Sequence, residues 1–522
     1  MKPKLVNLPQ DPLRATVHPA SPPAVSPTAR GLRTVRTVHR WQLPALALAV
    51  LPACSVGPDY APPPPHVPSE WGALPADAVI TQSPLGAWWD GFGDPILSAL
   101  ILRAIDGNLD VLIATSRVAE ARALYRADAS AQYPTVDVDG QISRQRLSEN
   151  GIFPGGEPQT LYSVGSSASW EVDVFGRVRR IVEAAEASTE ATEEDRRNVL
   201  VAVCADVATS YVNMRTLQRR LSVARANLES QRRVVELTRA RREGGIASSL
   251  DVAQAESIYA NTQTTLPPLE AFLELELHRL GVLLGREPRA VRSELSDEGR
   301  IPGLPVTLAV TLPADIIRQR PDIRAAERSL AAETARIGVA KGDLYPRFEL
   351  FGTFGFDATT ASVLFNGASR SYSVGPSVQW NVFAGGRIRA LVRAQEARTE
   401  EALARYESTV LHALEEVENA LVSFDKLRTE RTAILEAVRA ANQSLDLSTT
   451  LYKDGVADFQ NVLDAQRGVL LFQDALARVD GELIQSLIRL YRALGGGWSA
   501  FEPRPDTPED GGGSAEAPNL NG

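Results

Sequence analysis

Cysteine, histidine and aromatic residues are scarce in this 522-residue chain, and basic residues do not outnumber acidic ones. The formal net charge is −9, and aromatic residues make up 6% of the sequence. Proteins that bind nucleic acid need a basic face, and those that bind single strands also need aromatic side chains for base stacking. The composition therefore argues against a nucleic-acid partner.

The few cysteines and histidines predict no metal and no cofactor. Cys54 and Cys204 occupy such different contexts that a disulfide framework is implausible. The five histidines are scattered without a second ligand at metal spacing. The sequence also lacks a Ser-His-Asp order and a phosphate-binding loop, since the glycine run at residues 495–497 has no lysine after it. We therefore expect no enzyme activity.

The N-terminus has the pattern of an export signal. Four arginines between positions 30 and 40 precede an apolar stretch at residues 43–53 that is too short to span a bilayer as a helix. The stretch ends in Leu51, Pro52, Ala53 and Cys54, which resembles a lipobox apart from Pro52. We predict a lipid on Cys54, the alternative being an incidental cysteine after an ordinary signal peptide. The serine that follows Cys54 favours delivery to the outer membrane.

Most of the remaining chain consists of one unit that occurs twice. The stretch YSVGSSASW begins at Tyr162, and YSVGPSVQW begins at Tyr372, 210 positions later. The same offset relates Gly176 to Gly386, Glu186 to Glu396 and Gly245 to Gly455, whereas Tyr133 and Tyr345 are 212 positions apart. Each unit reads as a helix, two strands, a very long helix, a tight turn and a further helix.

The strands of each unit alternate between apolar and polar residues. Val164, Trp170 and Val172 share one face of the first copy, while Ser163, Ser167 and Ser169 share the other. Strands of about ten residues with aromatic ends are typical of a transmembrane β-barrel. We predict an aromatic membrane girdle formed by Tyr162, Trp170, Tyr372 and Trp380. The alternative is a half-buried sheet on a soluble domain, and Pro376 indicates a bulge or an edge strand.

Two strands per unit give four strands per chain, which is too few to close a barrel. The smallest single-chain outer membrane barrels have about eight strands, and lipid does not tolerate an open sheet edge. If these strands span a membrane, two or three chains must contribute to one barrel.

The long helices are the second unusual feature. From Gly176 to residue 243 the chain has 68 residues without a proline, and the second copy is equivalent. At ~1.5 Å per residue such a helix is about 100 Å long. Shorter helices are predicted at residues 108–131, 249–284, 321–344 and 459–494. Cys204 occupies a seam position that Leu414 fills in the other copy, so we assign it to packing rather than to a reactive thiol.

Several landmarks together resemble a known family. They are CSVGPDY at Cys54, WWDGFGDP at Trp88, RPDIRAAE at Arg320, GGRIRA at Gly385 and LYRALGGGW at Leu490. They are similar to the outer membrane factors, the TolC-like efflux ducts, and to the NodT-type lipoprotein branch that partners resistance-nodulation-division (RND) pumps. The resemblance implies an α+β membrane protein, a homotrimer with a twelve-stranded β-barrel in the outer membrane and a long α-helical barrel in the periplasm.

The same resemblance implies a passive duct in a tripartite efflux system that exports drugs or other small toxic compounds. Its partners would be a periplasmic adaptor, an inner-membrane RND pump and the lipids of the outer membrane. The expected segments are a signal peptide (1–53), a lipid anchor with a proline-rich arm (54–95), the first repeat (96–285), an equatorial linker (286–320), the second repeat (321–497) and a disordered tail (498–522).

The resemblance also implies where a periplasmic gate lies. Acidic rings of the family map onto Asn461 and Asp464, with Asp454 and Asp458 close by. The alternative for Asp464 is a solvated helix face, or a charge that favours the helix dipole. The turns would form the surface on which an adaptor docks. The candidate residues are Gly245, Ile246, Ala247, Ser248, Leu250, Gly455, Val456, Ala457 and Phe459. Of these, we expect Ile246, Ala247, Ser248, Val456, Ala457 and Phe459 to be exposed.

Two other classes of protein compete with this interpretation. One is the exit duct of a type I protein secretion system, against which the lipobox and the landmarks argue. The other is a periplasmic adaptor or scaffold with coiled-coil hairpins, but adaptors normally have one hairpin and not a duplicated unit with amphipathic strands. An enzyme is a remote third.

Overall fold

The computed structural model describes residues 55–64, 67–75, 78–80, 86–146, 148, 150, 156–305 and 308–502. The chain divides between Pro52 and Ala53 into two units, and every described residue belongs to the second. The predicted signal peptide, the predicted lipid site Cys54 and residues 503–522 lie outside the described residues.

Helices dominate the described part of the chain, and the strands are gathered into two sheets. The elements in chain order are β1 (Ala78–Ile80), α1 (Pro95–Gly107), α2 (Leu109–Ala129), β2 (Thr135–Gln145), β3 (Gln159–Val172), α3 (Arg177–Glu243), α4 (Ser249–Gln263), α5 (Leu266–Leu283), α6 (Arg292–Leu295), β4 (Leu308–Val310), α7 (Pro313–Gln319), α8 (Pro321–Gly342), β5 (Arg347–Ala358), β6 (Arg370–Gln379), α9 (Arg387–Lys453) and α10 (Phe459–Ala493).

The two long helices are confirmed, and they are equal in length. Helices α3 and α9 have 67 residues each, which corresponds to about 100 Å. Each begins directly after a glycine with positive φ, Gly176 at 81° and Gly386 at 85°. A left-handed backbone at this position turns the chain from the strand into the helix at little steric cost only for glycine. None of the described helices is long and apolar enough to cross a membrane.

The larger sheet is antiparallel with strand order β2-β3-β5-β6. Thr135 pairs with Ser169 in the first copy, and Arg347 pairs with Gln379 in the second. Moving the first pair by the two repeat offsets, 212 and 210, gives the second pair. The repeat therefore extends to the register of the strands. Strand β6 is an edge strand of the sheet within one chain, in agreement with the prediction from Pro376, which has no N–H to donate to the ladder.

The register collects the apolar side chains on one face of this sheet, because directly paired residues point to the same side. Trp170 pairs with Leu350, and Val172 pairs with Phe348. The most exposed members of the apolar face are Val136, Val138, Ile142, Phe354, Tyr372, Val374 and Val378. The opposite face has Asp137, Asp139, Ser163, Ser167, Glu349 and Asp357. Since so much of the apolar face is exposed, the predicted alternative of a sheet half-buried on a soluble domain does not describe this structure.

The two tryptophans of the predicted aromatic girdle make equivalent hydrogen bonds, although Trp170 is half-buried and Trp380 is exposed. Trp170 donates its indole N–H to the carbonyl oxygen of Gln132 at 2.9 Å, and Trp380 donates to that of Leu344 at 3.0 Å. Both carbonyls lie one residue before a Tyr-Pro pair. Each tryptophan therefore ties the end of a strand to the end of the preceding helix.

The main core lies where α1 and α10 pack on the middle of α3. Cys204 is fully buried there, and burial raises the pKa of its thiol to about 12. A thiol that stays protonated is a poor nucleophile, so the predicted packing role of Cys204 is confirmed.

The prediction that residues 498–522 are disordered is wrong for their first part. Residues Trp498–Phe501 form a 3-10 helix. The ring of Phe501 stacks on Trp89 with centroids 5.8 Å apart, and Trp498 lies under the guanidinium groups of Arg197 and Arg324. These tertiary contacts order the segment, whose two aromatic residues distinguish it from the proline- and glycine-rich sequence that follows.

The predicted single helix over residues 249–284 is also wrong. It consists of α4 and α5, because Pro267 and Pro268 cannot donate the backbone hydrogen bonds that a helix interior requires. Helix α1 and the small parallel sheet of β1 with β4 were not predicted. Helix α1 begins after Asp94, whose carboxylate accepts hydrogen bonds from two backbone N–H groups of the first turn.

Arg320 joins three elements at the end of the linker. Its guanidinium group donates to both carboxylate oxygens of Asp322, to Glu416 on α9 and to the carbonyl oxygen of Ala493 on α10. The side chain is 9% exposed. Removal of this arginine would leave the buried carbonyl oxygen of Ala493 without this donor and the part-buried Asp322 without its ion pair, which costs more than the loss of a surface ion pair.

We expect Arg320→Met to destabilise the protein by about 3 kcal/mol. The control is Arg318→Met, because Arg318 is a neighbouring arginine whose ion pair with Asp315 lies at the surface and should contribute less than about 0.5 kcal/mol. The measurement is thermal unfolding in detergent followed by tryptophan fluorescence. Equal melting temperatures for the two variants would contradict a structural role of Arg320.

Candidate functional site at the helix tips

The long helices end in two tight turns with the same backbone geometry. The first tip comprises residues 244–250, and the second tip comprises residues 454–460. Gly245 has φ of 73° and Gly455 has φ of 75°. The N–H of Ile246 donates to the carbonyl oxygen of Arg241 at 2.8 Å, and that of Val456 donates to Leu451 at 2.9 Å. Both tips thus use a left-handed glycine to end one helix and reverse the chain.

The helices that leave the tips are capped differently. Ser248 and Asp251 form a capping box at the start of α4, in which each side chain accepts from the other residue's backbone N–H. Asp458 precedes α10 at the equivalent position, but its side chain does not cap that helix. Its carboxylate lies in an exposed turn together with Asp454.

Most of the predicted docking residues are exposed, whereas Ala247 and Ala457 are half-buried and Phe459 is buried. Ile246, Leu250 and Val456 are apolar residues exposed at the tips, and Val456 is 74% exposed. The prediction that Phe459 is exposed is wrong, because it is only 4% exposed and packs with Tyr452 at 5.1 Å between ring centroids. As the first residue of α10, Phe459 lies on the same helix face as Val462, which also belongs to this small core.

Of the four predicted gate residues, Asn461 and Asp464 line one groove. The groove lies between α9 and α10 and has a volume of about 930 Å³. The Asp464 carboxylate accepts hydrogen bonds from Gln460 at 3.0 Å and from Arg467 at 3.1 Å, and all three side chains belong to exposed residues. Asp464 is therefore partly neutralised by a neighbour one helical turn away.

A contact between the two copies lies at the tips. The guanidinium carbon of Arg241 on α3 lies 4.8 Å from the centre of the Tyr452 ring on α9. Arg241 also donates to the carbonyl oxygen of Lys453 at 2.9 Å. Burial raises the pKa of Tyr452, so its phenol stays protonated. This pair fixes the first tip to the second.

The sequence alone did not identify Arg467, Arg241 or Tyr452. The spacing of three residues between Asp464 and Arg467 is a signal for an ion pair on a helix. No comparable signal links Arg241 to Tyr452, since they lie on different helices. Among the described residues, no three histidine, cysteine, aspartate or glutamate side chains lie close enough to hold a metal ion.

An exposed apolar sheet joined to rods of about 100 Å is typical of channel proteins of the outer membrane. Comparison with known proteins agrees. The sequence profile of the outer membrane efflux protein family matches residues 100–286 and 312–496.

Curated relatives cover most of the chain. The chain is 33% identical to nodulation protein T of Rhizobium leguminosarum bv. trifolii over 472 residues, which are 88% of this chain and 98% of that protein. It is 32% identical to the toluene efflux pump outer membrane protein TtgI of Pseudomonas putida, with 88% and 99% covered. The identity to the outer membrane protein OprJ of Pseudomonas aeruginosa is 33%, with 87% and 95% covered.

Solved structures show the same fold. The outer-membrane channel OprN superposes with a TM-score of 0.80 at 35% identity and covers 85% of this chain and 100% of its own. The open state of the MtrE outer membrane channel of Neisseria gonorrhoeae gives a TM-score of 0.74 at 27% identity, with 86% and 99% covered.

The chain belongs to the outer membrane efflux protein family. It is the outer membrane channel component of an efflux system, a passive duct that extends into the periplasm. The predicted family and location are thereby confirmed. The family consists of channels and not of enzymes.

We expect Arg241→Ala to loosen the contact between the two tips. Loss of a cation–π contact lowers the local opening free energy by about 1 kcal/mol, so amide hydrogen exchange at residues 452–459 should become roughly fivefold faster. Hydrogen–deuterium exchange followed by mass spectrometry measures this rate. Arg242→Ala, in the same turn and exposed, is the control, and an equal effect of both changes would rule out a specific contact.

Proposed function

We propose that three copies of the chain form one duct, with a twelve-stranded barrel in the outer membrane. The observation that carries this proposal is the sheet of four strands, which has an uncovered apolar face and two free edges, β2 and β6. Lipid provides no partner for the backbone groups of a free edge. Three copies supply twelve strands, which suits a closed barrel.

The helices support the same assembly, because they also expose apolar side chains. The most exposed members on α1, α2 and α5 are Leu102, Leu109, Leu112, Leu124, Phe272, Leu275 and Val282. Apolar surface of this extent on a periplasmic segment needs a protein partner. Neighbouring copies, packed side by side into a helical barrel, would cover it.

The polar face of the sheet would line the duct. It has the acidic residues Asp137, Asp139, Glu349 and Asp357, interspersed with serines. A polar lumen of this kind holds water. Relatives are named for the efflux of solvents and toluene and for the export of pyoverdine. We therefore assign small toxic compounds as a class, with the choice among them made by the pump.

The tips are the proposed site for the periplasmic adaptor of an RND-type pump. Ile246 and Val456 occupy equivalent turns and are exposed, as expected of residues that meet a partner helix hairpin. An inner-membrane pump must supply the energy, since the family consists of passive channels. Asp464 and Asn461 are the proposed gate positions inside the tips.

The arm that follows Cys54 supports a lipid anchor at that residue. The Val56 N–H donates to the carbonyl oxygen of Phe175 at 3.0 Å, and Arg180 donates to Asp59 at 2.6 Å. Gly57 lies so close to Gly338 that a side chain on either glycine would collide with the backbone of the other segment. The arm is thus held where β3 passes into α3. A lipid on Cys54 would lie beside this end of the sheet, and no other cofactor is proposed.

The trimer is tested with full-length protein extracted from outer membranes in mild detergent. We expect native mass spectrometry to give three chains, and planar bilayers that contain the protein to show single-channel conductance. A chain that stays monomeric and conducts no ions would contradict the proposed function.

The gate is tested by Asp464→Ala. Three carboxylates around a narrow mouth would hold cations there. The attraction between one carboxylate and a cation ~7 Å away in water is about 0.6 kcal/mol. Removal of the carboxylate should therefore raise single-channel conductance roughly twofold to threefold. Asn461→Asp adds a carboxylate on the same groove and should lower conductance. Unchanged conductance in both variants would remove these positions from the gate.

A further inference from the structure

The junction between the second strand and the long helix differs in charge between the two copies. Residues 171–183 of the first copy include three acids and three arginines, whereas the equivalent residues 381–393 include three arginines and no acid. The first junction is therefore neutral. The second has a formal charge of +3, in a chain whose net charge is −9.

In the first copy the arginines of the junction hold carboxylates. Arg177 donates from Nε to the carboxylate of Glu171 at 3.0 Å, and Arg179 donates from Nε to that of Asp173 at 3.2 Å. Both pairs join residues six positions apart, across the turn from strand to helix. The guanidinium groups of this junction thus have their counterions within the chain.

The second copy keeps these two donors and lacks the acceptors. The residues equivalent to the two acids are Asn381 and Phe383. Arg387, Arg389 and Arg393 are exposed, and their guanidinium groups make no hydrogen bond or ion pair with the described residues. They are available to an anion from outside the chain. A phosphate group suits them, because arginine can bind it with two parallel hydrogen bonds.

The first copy shows which face of the duct these arginines occupy. The equivalent of Arg393 is Glu183, which accepts a hydrogen bond from Arg180 at 2.7 Å. Arg180 also donates to the carbonyl oxygen of Val56 in the arm at 3.2 Å. Because the arm follows the proposed lipid site, it lies outside the duct. Arg389 lies one helical turn before Arg393 on the same side of α9, so both face outwards.

The chain just before these arginines is apolar and exposed. Trp380 is 56% exposed, Val382 is 75% exposed and Phe383 is 87% exposed. Residues 387–393 extend about 9 Å along a helix, and the headgroup layer of a bilayer is roughly 5–8 Å deep. The apolar side chains would therefore contact acyl chains, and the arginines would lie at the depth of the phosphate groups.

We infer that Arg389 and Arg393, together with Phe383, bind the headgroup of an anionic phospholipid in the periplasmic leaflet of the outer membrane. The inference rests on the proposed barrel, which puts this junction at the membrane surface, and it adds a specific lipid site. The phosphate would occupy the place that the carboxylate of Asp173 has in the first copy. The lipid would hold the second junction as the arm holds the first.

The test is native mass spectrometry of the full-length trimer in mild detergent with added dioleoyl phosphatidylglycerol or dioleoyl phosphatidylethanolamine. We expect one phosphatidylglycerol to stay bound per copy, with roughly tenfold higher affinity than phosphatidylethanolamine. Arg389→Gln with Arg393→Gln should lose this preference. The matched control, Arg405→Gln with Arg439→Gln, removes two exposed charges from the same helix and should keep the preference.

A second variant tests the comparison between the copies. Phe383→Asp restores the acid of the first copy, so its carboxylate should pair with Arg389 as Asp173 pairs with Arg179. Phosphatidylglycerol should then bind more weakly although both arginines are present. Phe383→Asn has the same shape without the charge, and it should bind phosphatidylglycerol roughly fivefold more tightly than Phe383→Asp.

The outcomes separate this inference from the proposed function. A conducting trimer that binds the two lipids equally would overturn the lipid site and leave the duct intact. The same holds if Arg389→Gln with Arg393→Gln retains as much phosphatidylglycerol as the parent, since a carboxylate of a neighbouring copy would then hold the arginines. Displacement of the lipid by excess inorganic phosphate would assign the arginines to free phosphate and also overturn the lipid site. A monomeric chain that conducts no ions would overturn both.

Discussion

The structure depends on the need to pair the backbone hydrogen-bonding groups of a sheet whose outer face is apolar. Four strands that expose valine, phenylalanine and tyrosine are unfavourable in water, and in lipid their two free edges would be unfavourable as well. A single chain satisfies neither requirement. The proposed assembly into a closed ring would satisfy both, and it would also explain why helices of the chain expose apolar faces. In the proposed assembly, the rods would continue from this ring into the periplasm.

Duplication reduces the number of distinct contacts that the proposed ring would need. The register of β2 with β3 recurs in β5 with β6, and both tips reverse the chain with a left-handed glycine. The copies differ mainly where they meet different surroundings. Asp173 accepts hydrogen bonds from the first N–H groups of α3, whereas the equivalent Phe383 is exposed and makes no such contact. The capping box of Ser248 likewise has no counterpart at Asp458.

Periodicity revealed the long helices, the strands and the repeat, because these features depend on the spacing of residues along one chain. What it could not reveal depends on contacts between distant segments. Phe459 was placed at an exposed turn, but its direction is set by the small core around Tyr452. Trp498 was assigned to a disordered tail, although Arg197 and Arg324 hold its ring. The break between α4 and α5 could have been predicted from Pro267 and Pro268, since two consecutive prolines rarely lie inside a helix.

Helices of this length raise a problem of their own, because a regular apolar seam would pack almost as well after a slip of one heptad. Polar residues between α3 and α10 remove this ambiguity. Asn213, Arg220 and Asn227 recur at intervals of seven residues on α3, and each bonds a different partner on α10, namely Gln485, Asp474 and Gln473. A slip by one heptad would bring an arginine to the place of an asparagine and leave partly buried groups without partners. The polar contacts therefore stabilise one register of the rods, as the strand pairs do for the sheet.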